Sequence, residues 1–193
     1  KYKPLWIVAA SLVLLPLLFH GIGLTLDTAT VVVILAMATM GLNMLVGYTG
    51  LVSFGHSAWF GIGAYAAGLA QLHWFPNQMW LPMLFSIVFT AVLSLAVGFL
   101  ILRRRGVYFS LLTLALCALT FAIAFRWTSL TGGEGGLGGI ERGTLGPWSL
   151  DGHLAYYVVV AVISFIVAYG LLRVVRSPFG HVLVAIRENE QRA

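Results

Sequence analysis

The sequence predicts an all-α fold, a polytopic transmembrane helical bundle of about six spans. Three observations carry that prediction. Hydrophobic residues make up 60% of the 193 residues and charged residues only 9%, whereas a soluble domain carries about 25% charged residues. The apolar residues fall into six runs, roughly 4–24, 29–47, 57–74, 81–102, 107–126 and 154–172. Most of these approach the ~20 residues that a helix rising about 1.5 Å per residue needs to cross a bilayer. The positive charges cluster at the ends of the runs. The reading is of one membrane domain over residues 1–193.

The first run follows Lys1 and Lys3, the basic start that a signal peptide also has. Its length and the lack of an A-x-A cleavage site favour a span. The second run ends in GYTGLVSFGHS, residues 47–57, which holds three glycines and no charge. A plain cytoplasmic loop usually carries a Lys or Arg, and each glycine weakens a helix by about 1 kcal/mol relative to Ala. The expectation is a broken or re-entrant segment, whose backbone must be satisfied by protein or by a water-filled cavity. Asn43, Gly47, Gly50, Ser53, Gly55 and His56 are the candidates for lining a translocation path. A tight neutral turn packed on neighbouring spans is the competing reading.

The third run is short and glycine-rich. Gly61, Ala64 and Gly68 fall at i, i+3 and i+7, a face of small residues that lets another membrane helix approach closely. The fourth and fifth runs flank Arg103, Arg104 and Arg105. Residues 127–153 hold nine glycines and read as an ordered, non-repetitive external loop able to meet a soluble partner. GGEGGLGG within it is not a phosphate-binding loop, since no Lys-Ser/Thr follows and no strand precedes.

Charge sets the orientation. Six spans place Lys1, Lys3, Arg103, Arg104, Arg105, Arg173, Arg176, Arg187 and Arg192 on one side. Arg126 and Arg142 fall on the other, with Asp27, Glu134, Glu141 and Asp151. The positive-inside rule then puts both ends of this chain in the cytoplasm.

Residues 177–193, SPFGHVLVAIRENEQRA, break the lipid-dwelling pattern. Phe179, Val182, Leu183 and Ile186 share one face at i, i+3, i+4 and i+7. Ser177 suits an N-cap and Pro178 the first turn. Two basic and two acidic residues in this stretch nearly cancel, so an anionic-lipid anchor is the weaker account.

Several functions are disfavoured. The basic residues form no continuous polar face for nucleic acid. Cys117 is the sole cysteine, so no internal disulfide forms. His20, His56, His73, His153 and His181 lack metal-ligand spacing. No carboxylate sits in mid-span, which weighs against a proton relay or ion-coupled carrier. Arg126, at the end of the fifth run, can snorkel to the interface. A path without an internal energy source leaves a channel or a transporter driven by a separate subunit, and the closing helix favours the latter.

Four blocks carry a resemblance: GLNMLVGYTGLVSFGHSAWFGIGAYAAGLA (41–70), RGVYFSLLTLAL (105–116), WTSLTGGEGGLGGI (127–140) and SPFGHVLVAIRENEQRA (177–193). In order and spacing they resemble the permease subunits of the branched-chain amino-acid ABC importers, of the LivM type. The resemblance implies an inner-membrane permease, not an enzyme, forming half of a translocation path. It implies a second, related permease, two cytoplasmic ATPases that bind the ATP and Mg, and an external binding protein. It also implies an ATPase-docking role for Ser177, Gly180, Leu183, Ala185, Ile186, Arg187, Glu188 and Glu190. His181 stands where such proteins often have Arg. Since the family usually continues with more spans, this chain is expected to be an N-terminal portion of a longer permease. Urea or a short amide is the alternative cargo.

Overall fold

The computed structural model describes residues 3–103, 106–145 and 148–188. Eight α-helices account for most of them: α1 (Lys3–Gly21), α2 (Leu26–Asn43), α3 (His56–His73), α4 (Trp80–Ile101), α5 (Val107–Arg126), α6 (Thr128–Thr131), α7 (His153–Val175) and α8 (Pro178–Glu188). A π-helical turn, Met44–Tyr48, extends α2. A 3-10 turn, Gly133–Gly135, follows α6. Strands β1 (Thr144–Leu145) and β2 (Trp148–Ser149) pair antiparallel, Thr144 opposite Ser149 and Leu145 opposite Trp148.

Five helices among the described residues are long and apolar enough to cross a membrane: α1, α2 with its π turn, α4, α5 and α7. That is one fewer than the apolar runs in the sequence. The third run forms α3, which has 18 residues but mixes its apolar side chains with Gly61, Gly63, Gly68, Gln71 and two histidines. Length is present there and hydropathy is diluted.

The chain divides into two units, one made of residues 1–50 and 151–193 and the other of residues 51–150. The first unit packs α1, α2 and α7 around Ala29, Val33, Tyr157 and Val160, with Leu12, Leu15, Phe19 and Met37 against them. Thr25 caps α2, its hydroxyl accepting the Thr28 N–H. At the same ends of α2 and α7, His153 Nδ1 meets Asp27 Oδ1 at 2.8 Å. The two helices therefore run in the same direction.

Pro16 lies inside α1. Proline has no N–H, so it cannot donate to the carbonyl of Leu12 four residues earlier. The Tyr157 hydroxyl donates to that carbonyl instead, at 2.6 Å. A helix defect in lipid is thus repaired by the neighbouring helix.

The turn from α7 into α8 is tight. Ser177 donates to the Val174 carbonyl at 2.6 Å and accepts the Gly180 N–H at 3.4 Å, capping α8 as expected. Gly180 is buried, and a Cβ there would fall 2.1 Å from the Val175 carbonyl oxygen.

In the second unit α3 packs on α4. The Ser86 hydroxyl donates to the Gly63 carbonyl at 2.6 Å, and Trp74 meets Phe85 edge-on at 5.0 Å. Residues 127–145 and 148–150 contain the short elements α6, β1 and β2, where the sequence read only irregular chain, and are tied to α3 and the turn after it. Gln71 donates to the Glu141 carbonyl at 2.6 Å. Asn77 accepts the Thr144 N–H at 2.8 Å.

Replacing Tyr157 with Phe strands the Leu12 carbonyl beside Pro16. The expected cost is about 1–2 kcal/mol, read as a lower unfolding temperature in detergent with unchanged membrane insertion. An unshifted midpoint would show that the carbonyl finds another donor.

Candidate functional site

The predicted path residues divide between the two units. Asn43, Gly47 and Gly50 belong to the first and Ser53, Gly55 and His56 to the second.

In the first unit, α2 widens into its π turn across Gly47. A Cβ on Gly47 would sit 3.0 Å from Asn43 Oδ1, so a larger residue there would push that amide aside by a few tenths of an ångström. Two residues after the turn, Gly50 has φ +72°, which an L side chain adopts only at a cost. A Cβ there would also fall 2.6 Å from Arg187 Cγ. The Arg187 guanidinium Nη1 donates to the Gly47 carbonyl. A residue assigned to docking and two assigned to the path therefore meet within one unit.

The helix α8 presents two stripes. Gly180 is buried, Leu183 is half-buried, and Arg187 reaches back to the chain. Phe179, Val182 and Ile186 are 59%, 50% and 41% exposed, an uncovered apolar stripe. Ala185 and Glu188 are exposed too. Glu190, also assigned to docking, lies outside the described residues.

In the second unit, Leu51–Gly55 is irregular backbone leading into α3. It lies on α5. The Ser110 hydroxyl donates to the Val52 carbonyl at 2.6 Å, and the Thr113 hydroxyl accepts the Phe54 N–H at 3.1 Å. One turn on, Ser57 Oγ lies 3.3 Å from Cys117 Sγ. Gly55 is buried with its backbone against that of α5, and a Cβ there would fall 1.9 Å from the Thr113 carbonyl oxygen. Ser53 and His56 are half-buried, His56 as the first residue of α3. Hydroxyls thus supply partners that a strand or helix ladder would otherwise give.

Inside the second unit, α3 meets α4 with a face other than the one carrying Gly61 and Ala64. Gly61 has open space around it and Ala64 is exposed, so neither brings a described helix of its own unit close. Helical phase decides this. The residues turned inward are Gly63, Ala66 and Ala70, with Gly63 facing Ser86 and Thr90 of α4. Gly68 is buried against side chains, not a helix: Ile140 Cδ1 and Leu137 Cδ1 lie 2.9 and 3.1 Å from its Cβ position.

Sequence reasoning missed Ser110, Thr113 and Cys117. Their spacing of i, i+3 and i+7 in an apolar run was the available signal, since small polar residues on one face of a membrane helix mark a packed side. Among the described residues no group of three His, Cys, Asp or Glu side chains is placed to hold a metal.

Comparison with known proteins adds to this geometry. Residues 24–193 match the family model described as branched-chain amino acid transport system / permease component. The chain is 27% identical over 189 residues to the high-affinity branched-chain amino acid transport system permease protein LivM of Escherichia coli (strain K12), covering 86% of this chain and 44% of that protein. It is 26% identical, with the same coverage, to the protein of that name from Salmonella typhimurium (strain LT2). The chain therefore spans about 44% of the length of these relatives. No solved structure matches.

Thr113→Val keeps the side-chain shape and removes the acceptor for Phe54 N–H. The expected loss is about 1–2 kcal/mol of stability, with faster hydrogen exchange at Phe54. Thr113→Ser should restore protection. Equal exchange in all three proteins would remove Thr113 as the anchor.

Proposed function

The chain belongs to the branched-chain amino acid transport permease family, and from that premise we propose that it forms part of an ATP-driven importer for branched-chain amino acids. The family is one of membrane transport components, not enzymes. In this reading the chain supplies half of a translocation path and a second, related permease supplies the other half. Two cytoplasmic ATPases bind the ATP and Mg and do the hydrolysis. An external binding protein delivers leucine, isoleucine or valine. Both ends of this chain face the cytoplasm, in line with the segregation of the nine basic residues described above.

The observation that carries the proposal is α8. It follows the span α7 directly, is fixed by the Ser177 cap, and leaves Phe179, Val182 and Ile186 uncovered. An apolar stripe of this size fits a hydrophobic groove on a partner, the helix-in-groove mode of recognition. Glu188 at the rim adds orientation more than affinity. The near-balanced charge of the closing segment favours a protein groove over an anionic lipid surface. Gly180 has a separate task. Its missing side chain allows α8 to turn against α7, so a substitution there would move the whole helix.

Phe179→Asp and Ile186→Asp should each lower recovery of the ATPase with the full-length permease by about tenfold or more. Membrane insertion should be unaffected. In proteoliposomes, leucine uptake should require ATP and the ATPase subunits. ATPase recovery at the wild-type level with both variants, or uptake down a gradient by the permease alone, would overturn the reading. Uptake of urea or short amides in place of branched-chain amino acids would change the cargo and keep the mechanism.

A further inference from the structure

We infer that Arg187 is a positioning residue that ties α8 to the end of α2, delivering movement of α8 directly to the Gly47–Gly50 backbone. The inference rests on the reading of α8 as the ATPase-docking helix and assigns Arg187 a different task within it. Arg187 works inward, on its own chain, while Phe179, Val182 and Ile186 face outward.

Two independent contacts make the tie. The first is polar. The last carbonyls of a helix have no donor within the helix, and the C-terminal end of a helix attracts a cation. Gly47 lies in the last turn of the π-extended α2, and its carbonyl accepts from the Arg187 guanidinium. The second is steric. The aliphatic stem of Arg187 lies over Gly50, with Cγ and Cδ 2.6 and 3.2 Å from where a Cβ would stand. Gly50 is thus required twice, by its positive φ of +72° and by the stem above it.

Helical geometry separates the two tasks. Gly180, Leu183 and Arg187 are spaced i, i+3 and i+7, and so are Phe179, Val182 and Ile186. Each set forms its own stripe. α8 follows α7 through the Ser177 turn and lies beside the π turn of α2, and Arg187 adds a hydrogen bond between the two. With it, a push on the outer stripe also reaches the end of α2, and the next residues along the chain are the irregular Leu51–Gly55. A π turn is a suitable receiver, because such turns carry a locally irregular hydrogen-bond pattern and often mark functional positions.

The test uses the full-length permease reconstituted with its ATPase partners. Arg187→Met keeps the stem and removes every donor. It should retain the ATPase and its hydrolysis, while leucine uptake per ATP hydrolysed falls by about fivefold or more. Hydrogen exchange at residues 48–51 should rise. Arg187→Lys, which keeps one charged donor group, should recover part of the uptake. Gly50→Ala, which displaces the stem, should uncouple as Arg187→Met does. Unchanged uptake per ATP with Arg187→Met overturns the inference. Loss of the ATPase in step with uptake also overturns it, since Arg187 would then be a docking contact. Failure of the docking reading is seen separately, as ATPase recovery at the wild-type level with Phe179→Asp.

Discussion

A backbone N–H or C=O that leaves the helical ladder inside a bilayer finds no water. Each such group left unpaired costs several kcal/mol, so every irregularity must be repaired by the protein itself. This constraint accounts for the parts of the chain that a bundle of plain apolar helices would not need. Pro16 deprives the Leu12 carbonyl of its ordinary donor, and Tyr157 reaches across from α7 to replace it. At the end of α2, beside the exposed α8 and outside that constraint, the Gly47 carbonyl accepts from Arg187. The irregular residues 51–55 surrender their ladder partners, and Ser110 and Thr113 take over.

These repairs do more than hold the fold. Each joins elements distant in sequence through a side-chain hydrogen bond that belongs to no helix or strand ladder. The pairing of α3 with α4 uses the same chemistry. There the Ser86 hydroxyl donates to the Gly63 carbonyl, and Gly63 faces Ser86 and Thr90.

Much of this was legible in the residues. The apolar runs gave the helices because lipid demands about 20 residues per crossing. The three glycines in residues 47–57 marked the break, since glycine is the residue most damaging to a helix apart from proline. Ser177 and Pro178 marked the start of α8, and the cap formed where expected. The face of α3 turned toward α4 is the one carrying Gly63, not the one carrying Gly61 and Ala64. Its sequence GIGAYAAGLA has small residues on more than one side, so spacing alone could not choose among them. The partner helix, through Ser86, selected Gly63.

The sequence by itself determined that the chain lives in lipid, roughly where its long helices lie, and that its last helix has an apolar face to bury. These follow from local composition and periodicity, which act within a few turns. Only the tertiary structure decided which groups meet. Arg187 stands 140 residues from Gly47, Tyr157 stands 145 from Leu12, and Thr113 stands 59 from Phe54. No periodicity spans such distances. Each pairing exists because a backbone group was left without a partner and the folded chain brought a suitable side chain to it.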